Sequence, residues 1–327
     1  MKEDDIRPAK LREKCKELFW LDSQELLEKS KDFIEVNCPA CDYRETQVEF
    51  NKDGYIFKKC PKCRTLYISP RPIPEILKEY YSTSRASKFW QEEMFLVSRN
   101  IRIKEMYGPR AEMVIDLVKK YKIKTDILVD IGAGSGDFGV ELAKRNVFRK
   151  IILVEPGPLK IEKNQNVEII HNVIENVKFK HKPDIITNFE LIEHLFSPLN
   201  FVRSIYNLLD DTSFFIFTMP NLEGLELLTI YDKSINLAGP DHLNYFNTES
   251  IKTLLKRVGF KFIEISTTGK LDADIVRNRH LEGAIDISSQ LFLYHILIEK
   301  PELYLESFQG FLQQNNLSSN MLVVAKK

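Results

Sequence analysis

The stretch "ILVDIGAGSGDFGVELA", residues 127–143, decides the fold. A hydrophobic strand closes around the acid Asp130, turns through Gly132, Gly134 and Gly136, and enters a helix whose first acid is Asp137. The spacing is GxGxG, whereas a loop built for a dinucleotide pyrophosphate follows GxGxxG and presents free amides with little negative charge nearby. Glycines at these places permit tight turns and let a ligand approach the backbone. The acids on either side suit a ligand with no phosphate and a positive end, a sulfonium or an amino-acid ammonium. One strand later, "KIILVEP" sets Glu155 and Pro156 where an open α/β sheet binds its ligands, and a carboxylate there can take both hydroxyls of a ribose.

Outward from this stretch the pattern alternates. Strands are expected near 127–131, 150–154, 167–171, 184–188 and 213–218, with helices near 137–146, 157–163 and 198–209 and a short crossover near 173–180. A helix at 248–258, a strand at 261–266, a helical region around 282–309 and the final apolar run "NMLVVAK" follow. The central strands are apolar throughout, as strands buried on both faces must be. The fold class is therefore α/β, with an open, doubly wound, mostly parallel sheet.

Upstream, residues 1–32 read as a charged, amphipathic helical segment and 33–72 as a separate small β module. Cys38-Pro-Ala-Cys41 and Cys60-Pro-Lys-Cys63 flank a hairpin that turns at Asp53-Gly54. Two CxxC turns brought together this way make a tetrahedral sulfur cage for structural Zn(2+), a zinc ribbon whose folding free energy, on the order of 10 kcal/mol, comes from the metal. Four sulfur ligands leave no open position, so this zinc is not catalytic. Residues 73–122 form a helical bridge with a break expected at Gly108-Pro109, and 123–327 form the main domain, with a substrate loop at 220–247.

Composition narrows the partners. Forty-seven basic and 47 acidic residues cancel, giving no long-range attraction to nucleic acid or to an anionic membrane. Lys58, Lys59, Lys62 and Arg64 crowd the second cysteine pair; they either touch a phosphorylated partner or offset the thiolate charge and face water. The start of the chain lacks a signal-peptide core, no apolar run approaches 18 residues, and the cysteine usage suits a reducing compartment, so a cytoplasmic location is expected.

Taken together, "LVDIGAGSGDFGVELAKR…ILVEP" resembles the glycine loop and following acidic strand end of the class I S-adenosylmethionine-dependent methyltransferases, over roughly residues 110–327. The resemblance implies a seven-stranded sheet, with Asp130, Gly132, Ala133, Gly134, Gly136, Glu155, Pro156, Asn188 and Phe189 around S-adenosyl-L-methionine and His171 to Glu175 beside its adenine. The order of zinc ribbon, "YISPRP", helical segment and methyltransferase domain is also similar to zinc-ribbon-bearing sugar C-methyltransferases. In that group "FExxEH" matches Phe189, Glu190, Glu193 and His194, and "HLxYF" places His242 where the group carries its proposed base. The preceding "YHEH" cluster is replaced by Gly239, Pro240, Asp241 and His242, and no counterpart of the group's further C-terminal domain is expected after "NMLVVAKK", so nucleotide-sugar C-methylation is not the expected reaction.

The acceptor side is expected to hold His242 as general base, His194 and Glu193 as positioning groups, and one of the adjacent Tyr80 and Tyr81, Tyr81 being preferred. An alternative packs Leu191 and Leu195 on a helix whose first turn carries Glu190 and Glu193. Lys270 and Asp272, in "TTGKLDADI", either line the substrate entrance or lie in solvent. The function expected is methyl transfer to a small-molecule acceptor, a sugar or glycan precursor being a fair class. Two rivals remain: an RNA methyltransferase gripping RNA with its ribbon, and a non-catalytic zinc-ribbon interaction protein.

Overall fold

A computed structural model describes residues 2–159, 161 and 164–327. Two sheets organise the chain. The first three strands, β1 (Gln47–Lys52), β2 (Tyr55–Lys59) and β3 (Leu66–Ile68), form an antiparallel meander. Asp53 and Gly54 link β1 to β2 with φ of 51° and 89°, the left-handed pair that a two-residue hairpin turn requires.

The large sheet takes β4 (Ile127–Ile131), β5 (Lys150–Val154), β6 (Val167–Ile170), β7 (Ile185–Phe189) and β8 (Phe214–Pro220), then β10 (Phe262–Thr267) and β11 (Asn320–Lys326). Their spatial order is β10-β11-β8-β7-β4-β5-β6, all parallel except β11, which runs antiparallel between β8 and β10. Helices cover both faces: Phe201, Ile205, Leu254 and Leu255 pack on one, Val114, Ile115, Phe138 and Leu142 on the other. Chain direction reverses across β4, whose neighbours are β5 and β7, so a crevice opens beyond the C-terminal ends of β4 and β7.

The small sheet has a fourth strand that is remote in sequence. Residues Asn244–Tyr245, β9, pair antiparallel with β3 through Leu66↔Tyr245 and Tyr67↔Asn244. Segment 220–247 is accordingly more than a loop: it carries a helix, Leu225–Ile230, and buries Leu222, Leu237, Leu243 and Tyr245 in a core shared with Phe57 and Ile68. Beneath the cysteine turns, Cys38, Ala40, Cys60 and Tyr67 join the core on one face of the large sheet. The small sheet thus packs as one body with the large one.

Three expectations need correction. Gly108-Pro109 does not break the bridge: a π-helical turn, Ile103–Tyr107, carries helix Phe95–Arg102 into helix Gly108–Tyr121, where a proline at the first turn removes no needed donor. The late helical region begins ten residues before 282, at helix Asp272–Leu281, because Ala273, Ile275 and Val276 are core residues. Of the helix expected near 157–163, residues 160, 162 and 163 lie outside the described set, and Gly157 to Leu159 are not helical. Among the described residues no helix is long and apolar enough to cross a membrane.

Candidate active site and cysteine cluster

The glycine loop hangs from β4. Gly132, Gly134 and Gly136 have φ of 69°, 56° and 77°, a region that charges side-chain-bearing residues a steric penalty. Around Gly134 a Cβ would meet nothing within 4 Å, whereas at Gly136 it would strike Ile161 at 2.6 Å. Gly134 therefore faces open space and Gly136 faces packing. The Glu155 carboxylate reaches across, accepting from the Gly134 and Gly157 amides at 3.0 Å each. Ala133 and Pro156 flank this contact, and His171 Nδ1 lies 2.9 Å from the Gly157 carbonyl, on the same side.

Asp130 is 3% exposed and accepts from Thr187 Oγ1 at 2.7 Å. Burial pushes its carboxyl up to about 7, against the Thr187 hydrogen bond and the Arg110 guanidinium. Asn188, fully buried at the end of β7, leaves both its amide nitrogen and its amide oxygen without a partner. A buried amide with both ends unsatisfied costs free energy that a polar ligand would recover. Phe189 stacks edge to face on Phe138 at 4.7 Å. Asp137 differs from the expectation: Arg99 Nη2 pairs with it at 2.7 Å, so its charge is already met inside the protein.

Beyond β7 the helix that the alternative reading places at 191–195 is absent; Ile192–His194 is a single 3-10 turn. Glu193 is 1% exposed and neither carboxylate oxygen has a hydrogen-bond partner, which removes the reading of Glu193 as a surface group. Burial and the neighbouring Glu190 push it up to about 8. His194 Nδ1 lies 2.7 Å from the Asp241 carbonyl and 3.4 Å from its carboxylate. Burial works to lower the His194 pKa, but Asp241 and Glu193 outweigh it and hold it at about 9. His242 Nδ1 lies 3.1 Å from the Asn236 carbonyl and Nε2 lies 4.0 Å from an Asp241 carboxylate oxygen, and burial with the His194 charge lowers this ring to about 4. The two imidazoles meet edge to face at 4.6 Å, and a Glu193 oxygen and one nitrogen from each ring all lie within 4.8 Å of one another.

Tyr81 completes this wall, its hydroxyl donating to the Asp241 carbonyl at 3.2 Å, while Tyr80 is buried in the small-sheet core. Two neighbours on a helix point apart, so one serves the core and the other meets the Asp241 segment. Asp272 does not line an entrance: it is 2% exposed and bonded to Gln309 and the Ser319 amide. Lys270 reaches the Glu105 carbonyl at 3.4 Å.

The four cysteine sulfurs also lie within 4.8 Å of one another, Cys38 to Cys63 at 3.4 Å and Cys41 to Cys60 at 3.5 Å. Around a tetrahedral zinc the sulfur edges measure about 3.8 Å, so the cluster is the right size and chemistry to hold one. The two turns are duplicates. Asp42 and Arg64, each just past its CxxC, have φ of 65° and 61°, and their amides bond back to the Cys38 and Cys60 carbonyls at 2.8 Å. The basic residues nearby are engaged: Lys58 with Glu35 at 2.6 Å, Lys59 with Glu49 at 3.1 Å, Arg64 with Glu223 at 2.8 Å, and Lys62 over the Tyr43 ring at 4.2 Å.

Residues 106–265, which contain the glycine loop, the Glu155 strand end and the Glu193 turn, match a family model described as a methyltransferase domain. The chain carries a methyltransferase domain. Over 248 residues it is 25% identical to a Podospora anserina protein described as a probable DNA-directed RNA polymerase, a match covering 70% of this chain and 22% of that one. The chain thus spans about a fifth of that relative's length. Among solved structures it is similar to the 1,6-didemethyltoxoflavin-N1-methyltransferase of Burkholderia thailandensis, at 11% identity over 86% of this chain and 99% of that one, TM-score 0.48. It is also similar to the plantazolicin methyltransferase BamL, at 19% identity over 77% and 94%, TM-score 0.46.

Sequence reasoning missed what holds the Glu193 turn in place. Arg71, 1% exposed, donates to the carbonyls of Ile68, Phe196 and Leu243 and to Asn244 Oδ1, at 2.8 to 3.2 Å. Asn244 in turn donates to the carbonyls of Glu193 and Leu195, and the Leu243 amide bonds to Glu193 O at 2.8 Å. The available signal was an arginine among prolines in "SPRPIP", which says nothing of its partners.

Proposed function

We propose that the protein transfers a methyl group from S-adenosylmethionine to a polar small-molecule acceptor, a sugar or glycan precursor being the class favoured. One observation carries the acceptor side of this reading: Glu193, His194, Asp241, His242 and Tyr81 cluster just past the end of β7, in the segment whose Leu191 packs against Gly132 of the glycine loop. Glu155 would hold the ribose once its loop contacts yield, Gly134 would let the cofactor pass over the backbone, and Asn188 would meet it with its unpartnered amide. S-adenosylmethionine supplies a sulfonium-bound methyl, whose carbon bonds to the acceptor as the S–CH3 electron pair stays on sulfur.

His242 Nε2 receives the proton that the acceptor sheds, and the Asp241 carboxylate, 4.0 Å from that nitrogen, balances the charge that arrives. An imidazole held near 4 is neutral across the physiological range but a weak base. It suits an oxygen or nitrogen acceptor, whose proton becomes strongly acidic as the methyl bonds, better than a carbon acid that must lose its proton first. Desolvation by the cleft and alignment of the acceptor supply the remaining rate. The RNA reading is disfavoured, because Lys58, Lys59 and Arg64 spend their charge on Glu35, Glu49 and Glu223.

The test is transfer of labelled methyl from S-adenosylmethionine to fractionated sugar and metabolite pools, with calorimetry of S-adenosylhomocysteine alongside. Folded, zinc-loaded protein that bound neither nucleoside would defeat the proposal. His242→Ala is expected to slow transfer by about 100-fold or more while leaving nucleoside affinity unchanged.

A further inference from the structure

Helix Leu225–Ile230 starts where the chain presses on the residues before β11. The Leu225 amide bonds to the Leu317 carbonyl at 2.8 Å, the Glu226 amide to Ser319 Oγ at 3.1 Å, and a Cβ on Gly224 would strike the Ser319 backbone. Glu226 is 5% exposed, and its Oε1 accepts from Asn236 Nδ2 at 2.6 Å and from Ser234 Oγ at 3.0 Å. Ser234 Oγ in turn accepts from the Asn236 amide at 3.1 Å, and Lys52 Nζ, at the end of β1, donates to the Ser234 carbonyl at 2.6 Å. The turn at 234–236 is therefore held from the β11 side by Glu226 and from the small sheet by Lys52. Asp272 and Arg7 are the other charged groups facing Glu226, and burial raises its pKa against the two hydrogen bonds.

This turn delivers the Asn236 carbonyl, 3.1 Å from His242 Nδ1. A carbonyl oxygen only accepts, so Nδ1 carries the proton and the lone pair of the neutral ring sits on Nε2. The Asp241 carboxylate faces Nε2 instead, at 4.0 Å, and the remaining charged groups facing the ring are His194 and Arg7. A buried carboxylate is a costly way to fill space that an apolar side chain could occupy, but two donors on one oxygen fix a turn as an apolar group cannot. We infer that Glu226 is a positioning residue for His242: by clamping Asn236 it aims the carbonyl that selects the Nδ1–H tautomer and leaves Nε2 to take the acceptor's proton. Glu226 acts through Asn236 and touches neither acceptor nor cofactor. This rests on the reading of His242 as the base and names what orients it.

The experiment compares wild-type protein with Glu226→Gln, Glu226→Ala and Asn236→Ala. Two-bond 1H–15N correlation of the imidazoles, without substrate, reads the His242 tautomer, and labelled-methyl transfer to the fractionated sugar pool reads the rate. Wild-type His242 is expected as the Nδ1–H tautomer. Both alanine variants should move it toward a mixture and lower the rate at saturating S-adenosylmethionine on the order of 10- to 100-fold, with S-adenosylhomocysteine affinity within about 2-fold. Glu226→Gln, which keeps an acceptor oxygen, should fall between. The retained affinity shows that a variant is folded, and Asn236→Ala, at a half-buried turn position, tests the clamp from its other end if Glu226→Ala does not fold. An unchanged tautomer in the folded alanine variants would overturn the role of Glu226 alone, because only a residue that orients the ring moves its proton. Wild-type protein that transferred no methyl would overturn the base reading, and the role of Glu226 with it.

Discussion

Arg71 Nη1 and Asn244 Oδ1 meet at 3.0 Å, joining the end of the cysteine-bearing sheet to the strand that supports Glu193. Truncating Arg71 to alanine would strand four buried acceptors, the carbonyls of Ile68, Phe196 and Leu243 and the Asn244 amide oxygen. Arg71→Ala is expected to lower stability by about 3 kcal/mol, measured by urea unfolding. Because the glycine loop shares none of these bonds, the refolded variant should keep most of its S-adenosylhomocysteine affinity.

The cysteine cluster supports the same seam, since Asn247 Nδ2 donates to the Cys63 carbonyl at 3.1 Å just beyond β9. Purified protein should carry about one zinc per chain by metal analysis, and Cys60→Ser should lose it. Removal of the metal is expected to lower Tm and to raise amide hydrogen exchange at 243–247 together with 38–67. Exchange confined to 38–67 would refute the coupling.

The glycine loop separates steric packing from ligand access. Gly136→Val would bring its Cβ against Ile161 and is expected to destabilise the fold, by differential scanning calorimetry. Gly134→Ala meets no neighbour and costs about 1–2 kcal/mol from its φ of 56° alone, yet it places a methyl where the cofactor is proposed to pass. Its nucleoside affinity should fall far more than its Tm.

Six histidines make the proton arrangement readable by NMR. His242 should titrate near about 4 and His194 near about 9, on either side of the ordinary 6.5. Asp241→Asn removes the leading cause that raises His194, leaving burial to pull it below 6.5. His194→Asn removes a charge that depresses His242, whose pKa should rise while burial still holds it under 6.5. Stability follows with the matching sign. The His194 contribution is full below 6.5 and is lost as pH rises through about 9, whereas His242 opposes folding as pH falls from 6.5 toward about 4.

By itself the sequence determined the parts whose physics is local. Buried apolar strands, glycines at left-handed turns, the Asp53-Gly54 hairpin and two CxxC turns each declare themselves within a few residues, and so the alternating α/β pattern and the sulfur cluster were legible. The glycine loop belonged to this class, because a strand end, a turn and a helix start are contiguous.

Only the tertiary structure decided how distant segments share charge and hydrogen bonds. β9 lies 176 residues beyond the end of β3 yet completes its sheet, Arg99 neutralises Asp137, and Asp241 holds His194 up while burial and the His194 charge push His242 down. A guanidinium or carboxylate looks the same in sequence whether it is paired or waiting for a ligand. Burial and partners, which exist only in the folded chain, distinguish Asp272, bonded to Gln309 and the Ser319 amide, from Glu193, whose carboxylate has no hydrogen-bond partner.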